Sequence, residues 1–95
     1  NSEQFLQSLR RDGFPDPVEV QQVPSGRLDI HEHPFEVRAL VLEGAITIVT
    51  DGLSKIYKVG DVFQLQLKQP HAESYGIDGV KYLASRKQSA VSNKA

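Results

Sequence analysis

The chain contains three histidines, and their positions suggest a metal site. His31 and His33 are separated by one residue, and His71 follows a Gly60-Asp61 turn and a segment with the pattern of a strand. Alternate residues on a β-strand point to the same face, so His31 and His33 can direct two imidazoles at one point. His71 can add a third imidazole from a neighbouring strand. Three neutral imidazoles suit Fe²⁺, Mn²⁺, Ni²⁺, Cu²⁺ or Zn²⁺, and the sequence does not select among these divalent transition metals.

Length and composition indicate one globular domain. The 95 residues are 39% hydrophobic and 24% charged, and the formal net charge of −1 gives no electrostatic reason to expect nucleic acid or an anionic membrane as a partner. The chain has no cysteine, which excludes a disulfide framework and a thiol nucleophile. Residues 1–30 lack the apolar core of a signal peptide. We therefore expect a cytoplasmic protein whose partner is a small molecule, with neither nucleic acid nor membrane involved.

The first 17 residues are predicted to form a helix and an extended linker. Phe5 and Leu9 share one face of a helix over residues 2–11, for which Ser2 can act as N-cap and Gly13 as the C-terminal stop. Two prolines then keep residues 14–17 extended. We expect residues 1–17 to pack on a barrel formed by residues 18–86, and residues 87–95 to be a flexible tail.

The rest of the chain has the pattern of an all-β protein. Short runs rich in Val, Ile, Leu, Tyr and Thr, separated by glycine and proline turns, predict eight strands, over residues 18–23, 27–31, 37–42, 45–50, 55–59, 62–67, 72–75 and 80–85. Strands of this spacing form a closed barrel or a double-sheet sandwich. Asp51-Gly52 is the strongest hairpin signal. In the run 62–67 one of two alternating sets faces the interior, either Phe63, Leu65 and Leu67 or Gln64 and Gln66, and the apolar set is favoured.

With strands and histidines placed, the chain resembles a small single-domain cupin. The family's first motif, with a glycine, the H-x-H pair and a closing glycine, corresponds to residues Gly26 to Gly44, and its second motif runs from Gly60-Asp61 to His71. The resemblance covers residues 18–86. It implies a cupin-type β-barrel, also described as a double-stranded β-helix or jelly roll, with the short N-terminal helix packed outside. It also implies a homodimer.

The resemblance implies the three histidines as ligands and leaves the fourth ligand open. The family's glutamate ligand lies four residues after the second histidine, a position that Val37 occupies here, and Glu36 lies one residue earlier. Strand alternation places Val37 on the histidine face and Glu36 on the other. Glu36 could bind the metal only if Pro34 introduces a bulge, which would also turn Arg38 inward. Glu36 is therefore a candidate metal ligand that depends on that bulge.

Glu73 is the candidate catalytic acid. His71, Glu73 and Tyr75 alternate and therefore share one face, which is the metal face if His71 is a ligand. A carboxylate beside a metal can act as a general base or orient a ligand histidine. The alternative is a charged residue at the mouth of the barrel.

The resemblance leaves two classes of function open. In cupins with such a site, bidentate binding of an enol, thiol or carboxylate to iron, followed by O₂ chemistry, is a recurrent activity. An isomerase would instead use the metal as a Lewis acid. We therefore expect a metal-binding cupin that acts as a small-molecule dioxygenase through its three-histidine site. The alternative is a non-catalytic barrel that binds or senses a small ligand, because one fold can host both.

Overall fold

The structure is a computed structural model that describes residues 1–88. It contains one helix, α1, and six strands, β1 to β6, with the bounds Ser2–Arg11 (α1), Val18–Gln22 (β1), Arg27–His31 (β2), Phe35–Thr50 (β3), Leu53–Lys58 (β4), Val62–Leu65 (β5) and His71–Gln88 (β6). The prediction of an all-β fold with a short N-terminal helix is confirmed. No helix among the described residues is long and apolar enough to cross a membrane.

The structure has six strands where the sequence predicted eight, because two of the predicted turns are bends within continuous strands. β3 joins the predicted runs 37–42 and 45–50, and β6 joins the runs 72–75 and 80–85. The two strands pair with each other on both sides of the bend, with register shifts around Glu43 and Gly44. A side chain on Gly44, whose φ is +73°, would collide with the carbonyl oxygen of Gly79. Glycine is therefore required here by the close approach of two backbones.

The bend divides the ladder into two antiparallel sheets of four strands each. Sheet A, as we name it, consists of β1, the second half of β6, the first half of β3, and β5. Sheet B consists of β2, the first half of β6, the second half of β3, and β4. The two sheets face each other, as in a jelly roll, and their inward side chains form one core.

Strand alternation explains which residues enter this core. In sheet A, Val37, Ala39 and Val41 are buried between the sheets, and Ile46 and Ile48 are buried from sheet B. On β5 Phe63 and Leu65 face inward and Gln64 faces solvent, as favoured from the sequence, whereas Leu67 lies beyond the end of β5 and is exposed.

The hairpin between β3 and β4 follows the sequence prediction. Thr50 pairs with Leu53, and the two residues between them, Asp51 and Gly52, have φ of +51° and +76°. Positive φ at both central residues is the requirement of a type I′ turn, which the Asp-Gly dipeptide meets at low cost.

Helix α1 covers the outer face of sheet A. Its N-cap is Asn1 and not the predicted Ser2, because the Asn1 side-chain oxygen accepts a hydrogen bond of 2.9 Å from the Gln4 amide. The predicted stop at Gly13 is confirmed, since this residue has a φ of +78° and follows the last turn. The buried face of α1 packs against Leu40 on the outside of β3.

The linker after α1 is attached to the same sheet by side chains of β6. The Ser85 hydroxyl donates to the Pro15 carbonyl at 2.6 Å, and the Lys87 ammonium donates to the Asp12 carbonyl at 2.9 Å. Lys87 and Gln88 therefore belong to β6, although the sequence placed them in a tail. The remainder of the predicted tail, residues 89–95, lies outside the described residues.

Candidate metal centre

The structure brings the three predicted histidines together at one end of the barrel. His31 is the last residue of β2, and it pairs with His71, the first residue of β6. Their ring centroids are 4.2 Å apart, and the His33 ring lies 4.9 Å from the His31 ring and 5.3 Å from the His71 ring. His33 follows β2 and does not continue it, so alternation along one strand does not place this ring. Its carbonyl oxygen accepts a hydrogen bond of 2.9 Å from the Lys68 amide, which holds the segment.

Backbone carbonyl groups orient two of the rings. Nδ1 of His31 lies 2.8 Å from the Asp29 carbonyl oxygen, and Nδ1 of His71 lies 2.9 Å from the Gln69 carbonyl oxygen. Because a carbonyl oxygen only accepts, each Nδ1 carries a proton, and the Nε2 atom of each ring is directed towards the Glu73 carboxylate. Metal-binding histidines use the same contact to fix their tautomer.

Glu73 completes the group from the neighbouring inward position of β6. Its Oε2 lies 3.2 Å from Nε2 of His71 and 3.5 Å from Nε2 of His31. The Tyr75 hydroxyl donates to its Oε1 at 3.0 Å. Each of the three histidines and Glu73 offers one ligand atom, and these four atoms all lie within 4.8 Å of one another. The acid beside the histidines is therefore Glu73, the residue that the sequence proposed for catalysis.

Glu36 lies outside this group. The β3–β6 pairing is regular from Phe35 to Val41 and places Glu36 opposite Lys87, while Val37 points into the core. The bulge that would turn Glu36 inward is not present. Arg38 is on the outer face with it, and its guanidinium makes an ion pair with Asp12 at 2.7 Å. Both side chains follow simple alternation, so the structure does not support Glu36 as the fourth ligand.

The surroundings favour the neutral form of His33. Burial of its ring and the neighbouring His31 and His71 lower the pKa of His33. Burial, together with the charge of Glu73, raises the pKa of Tyr75. The Tyr75 hydroxyl therefore stays protonated and donates a hydrogen bond to that carboxylate. The neutral form of His33 is the protonation state that a metal ligand needs.

Comparison with known proteins gives the fold. No protein-family model matches the sequence, and no curated protein matches it. Among solved structures, a cupin superfamily protein from Desulfitobacterium hafniense is similar, with 18% identity, a TM-score of 0.67, and coverage of 75% of this chain and 64% of that one. An RmlC-like cupin from Shewanella frigidimarina has 19% identity and a TM-score of 0.64 over 79% of this chain and 68% of that one. The chain has the cupin fold.

A third similar structure places the same fold inside a larger protein. A transcriptional regulator of the HTH_3 family from Vibrio cholerae has 15% identity and a TM-score of 0.64, and the match covers 75% of this chain but 41% of the regulator. The cupin barrel predicted from the sequence is thus confirmed as a fold. At such identities the likeness concerns the fold alone.

Three histidines and the Glu73 carboxylate converge on one point at this site. Nδ1 of His31 and Nδ1 of His71 each face a backbone carbonyl oxygen, and Nε2 of His71 forms a hydrogen bond of 3.2 Å with Glu73 Oε2. Nε2 of His31 is buried and has no hydrogen-bond partner among residues 1–88. A buried polar atom without a partner is costly, and a metal ion at this point would satisfy it. Three nitrogens and one carboxylate oxygen form a donor set that suits a divalent transition metal.

A cavity of about 50 Å³ lies between the sheets beside this centre. His33 and Glu73 line it on the side of the centre, Tyr82 and Arg86 add polar groups, and the remaining walls belong to the apolar core. Sequence reasoning missed Arg86. Alternation from the inward residues Tyr82 and Ala84 along β6 would have found it, because Arg86 is the next residue on that face.

Proposed function

We propose that this cupin binds a divalent transition metal through His31, His33, His71 and Glu73, and that it acts as a dioxygenase on a small molecule held in the adjoining cavity. The observation that supports the metal is the convergence of four ligand atoms within 4.8 Å of one another, among them the buried Nε2 of His31, which has no hydrogen-bond partner among residues 1–88. Three protein nitrogens leave coordination positions for a substrate, which is the arrangement of catalytic sites as opposed to closed structural ones.

The residues around the centre have separate tasks in this proposal. A bound metal of this class supplies Lewis acidity, and iron also supplies the redox chemistry that O₂ requires. The carbonyl contacts of His31 and His71 hold their rings in the ligand tautomer. Tyr75 holds Glu73 in place, so its carboxylate can bind the metal or accept a proton from a substrate beside it. The apolar walls exclude bulk water from the reacting groups.

A second candidate is a barrel that binds a small ligand without turnover. Two observations favour it: the cavity is small, and the same fold occurs as a domain within a transcriptional regulator. In this case the metal, or the polar groups around it, would serve to hold the ligand. The two candidates differ in whether a bound ligand is chemically changed.

The metal is tested first by calorimetric titration of chelator-treated protein, produced without a histidine tag, with Fe²⁺, Mn²⁺, Ni²⁺ and Zn²⁺. We expect one site per chain, and loss of that site in His71→Ala. Glu36→Gln is the matched control, since Glu36 lies outside the centre, and it should bind as wild type does. Wild-type protein that binds none of the four ions would contradict the proposal.

The choice between catalysis and binding is tested with ligands found by thermal shift. Small acids that raise the melting temperature of the Fe²⁺-loaded protein are incubated with it in air, and the recovered compounds are identified by mass spectrometry. A dioxygenase returns a product that contains oxygen from O₂, and His71→Ala returns the ligand unchanged. Ligands that bind saturably and are all recovered intact would favour the binding barrel.

A further inference from the structure

Arg86 is a cation at the candidate site that has no carboxylate partner among residues 1–88. Among residues 1–88, the ion pairs of the other arginine and lysine side chains involve Arg11, Arg38 and Lys81, and no carboxylate lies within ion-pair distance of Arg86. Yet Arg86 lines the cavity together with Glu73. A guanidinium that lines the cavity and has no carboxylate partner among residues 1–88 is available to a ligand.

The position of Arg86 is determined by its strand and by one aromatic ring. It pairs with Val37 in the β3–β6 ladder and shares the inward face of that buried residue. Its guanidinium carbon lies 5.4 Å from the centroid of the Phe35 ring, and His33 stacks on that same ring at 4.9 Å. The cation is thus held beside the candidate metal ligand His33, and Arg86 lines the cavity while the residue remains exposed to solvent.

The charges around the cavity favour an anionic ligand. The carboxylate oxygens of Glu73 are directed to His31, His71 and Tyr75, so this negative charge serves the histidine group. With a divalent metal in place, the metal, Glu73 and Arg86 would sum to a charge of about +2, because imidazoles bound to a metal are neutral. A ligand with negative charge neutralises that excess, and a guanidinium binds a carboxylate through two parallel hydrogen bonds.

We propose that Arg86 binds a carboxylate group of the ligand, so that the substrate class of this site is small carboxylic acids with a second donor group directed at the histidine centre. This inference rests on the proposed function, because it places the second donor group at the metal. The cavity of about 50 Å³ holds roughly four waters, so the part of the ligand inside it has only a few heavy atoms. A longer ligand extends through the mouth past Arg86.

Malonate is a suitable probe because it carries two carboxylates on one carbon, one for the centre and one for Arg86. Its binding to Zn²⁺-loaded protein is measured by isothermal titration calorimetry for wild type, Arg86→Gln and Arg86→Lys. We expect Arg86→Gln to weaken malonate binding about tenfold, the effect of losing one partly exposed charge-assisted contact. The malonate affinity of Arg86→Lys should lie between those of wild type and Arg86→Gln, since lysine keeps the charge and loses the paired hydrogen bonds.

Two controls separate a specific contact from general electrostatics. Arg10→Gln removes the same charge from the exposed face of α1 and should leave malonate binding unchanged. Malonamide, which has the shape of malonate without its charge, should bind wild type and Arg86→Gln equally. Equal malonate affinity in wild type and Arg86→Gln, or equal weakening by Arg86→Gln and Arg10→Gln, would overturn the inference.

Metal content measured on the same samples separates this inference from the proposed function. Wild-type protein that takes up no zinc contradicts the proposed function, and malonate titration of that metal-free protein still decides whether Arg86 holds a carboxylate. Zinc-loaded protein with no measurable malonate binding overturns the role of Arg86 and leaves the metal site standing. Melting temperatures of the variants confirm that each is folded.

Discussion

At the level of single residues, three histidines and one carboxylate bring four candidate ligand atoms within 4.8 Å of one another. Backbone carbonyl groups face Nδ1 of His31 and of His71, and the Tyr75 hydroxyl donates to the Glu73 carboxylate. Nε2 of His31 is buried and has no hydrogen-bond partner among residues 1–88. A metal ion would contact all four ligand atoms together, which is why we take it as the natural occupant.

The two candidate acids give a matched pair of substitutions. Glu73→Gln should weaken Zn²⁺ binding about 10- to 100-fold, because the amide removes the negative charge beside the histidines. Glu36→Gln changes the same group on the outer face of β3 and should have no effect. Competition with a chromophoric chelator measures both affinities. A larger effect of Glu36→Gln than of Glu73→Gln would show that the ligand set is wrong.

Some residues of the site could be placed from the sequence, and others could not. The relation of Glu73 to His71 follows from alternation on one strand, and it was predictable. The position of His33 depends on a segment outside the strands, held by the Lys68 amide, which no periodicity reveals. Glu36 was a candidate because the family motif offers an acid nearby, but the strand around it keeps a regular register. The effect of a nearby proline on that register depends on the partner strand, which the local sequence does not contain.

At the scale of elements, β3 and β6 position the site by running through both sheets. The sequence predicted turns at Glu43-Gly44 and near Gly79, since glycine with polar neighbours is typical of a turn. A glycine with positive φ is compatible both with a turn between two strands and with a bend within one strand. Only the strand that crosses at that glycine distinguishes the two. The Asp51-Gly52 hairpin was predictable because it needs nothing beyond its own two residues.

Two glycines with nearly equal φ test this account of the bend. Gly52 has a φ of +76° and no atom near the position of a side chain, so Gly52→Ala should cost about 1 to 2 kcal/mol of unfolding free energy. Gly44 has a φ of +73°, and an added Cβ would also collide with the Gly79 carbonyl. Gly44→Ala should therefore cost about 3 kcal/mol or more. Urea unfolding measures both, and equal losses would contradict the close approach.

At the scale of the whole molecule, a polar joint fastens the N-terminal helix to the barrel. Arg38 projects from the outer face of sheet A, with its guanidinium 4.4 Å from the centroid of the Phe14 ring and 2.7 Å from the Asp12 carboxylate. Leu9 of α1 is buried under the same joint. The amphipathic helix was evident from the sequence. Its anchor was not, because Asp12 and Arg38 are separated by 26 positions.

This joint predicts how stability depends on pH. Hydrogen bonds from Arg11 and then Arg38 hold the pKa of Asp12 well below its usual range. A lowered folded pKa means that the contribution of Asp12 is present above about pH 4, the value in unfolded chains, and is lost as pH falls through the folded pKa. Asp12→Asn should therefore lower the melting temperature at pH 7 and flatten its fall in acid, measured by calorimetry from neutral pH downward.

Asp16→Asn is the control for that experiment. Asp16 is an exposed carboxylate of the same linker and makes no ion pair within residues 1–88. Its replacement should leave both the melting temperature at pH 7 and the acid dependence as in wild type. If Asp12→Asn keeps the acid dependence of wild type, the ion pair with Arg38 does not contribute to docking of the helix.

The most direct test of the central claim is the metal content of the protein purified without a histidine tag, measured by elemental analysis for wild type and His33→Ala. Our account predicts about one equivalent of Fe, Mn, Ni, Cu or Zn per chain in wild type, and its loss in the variant. Wild-type protein that carries no metal, and that also takes up no added Fe²⁺, Zn²⁺ or Ni²⁺, would contradict it.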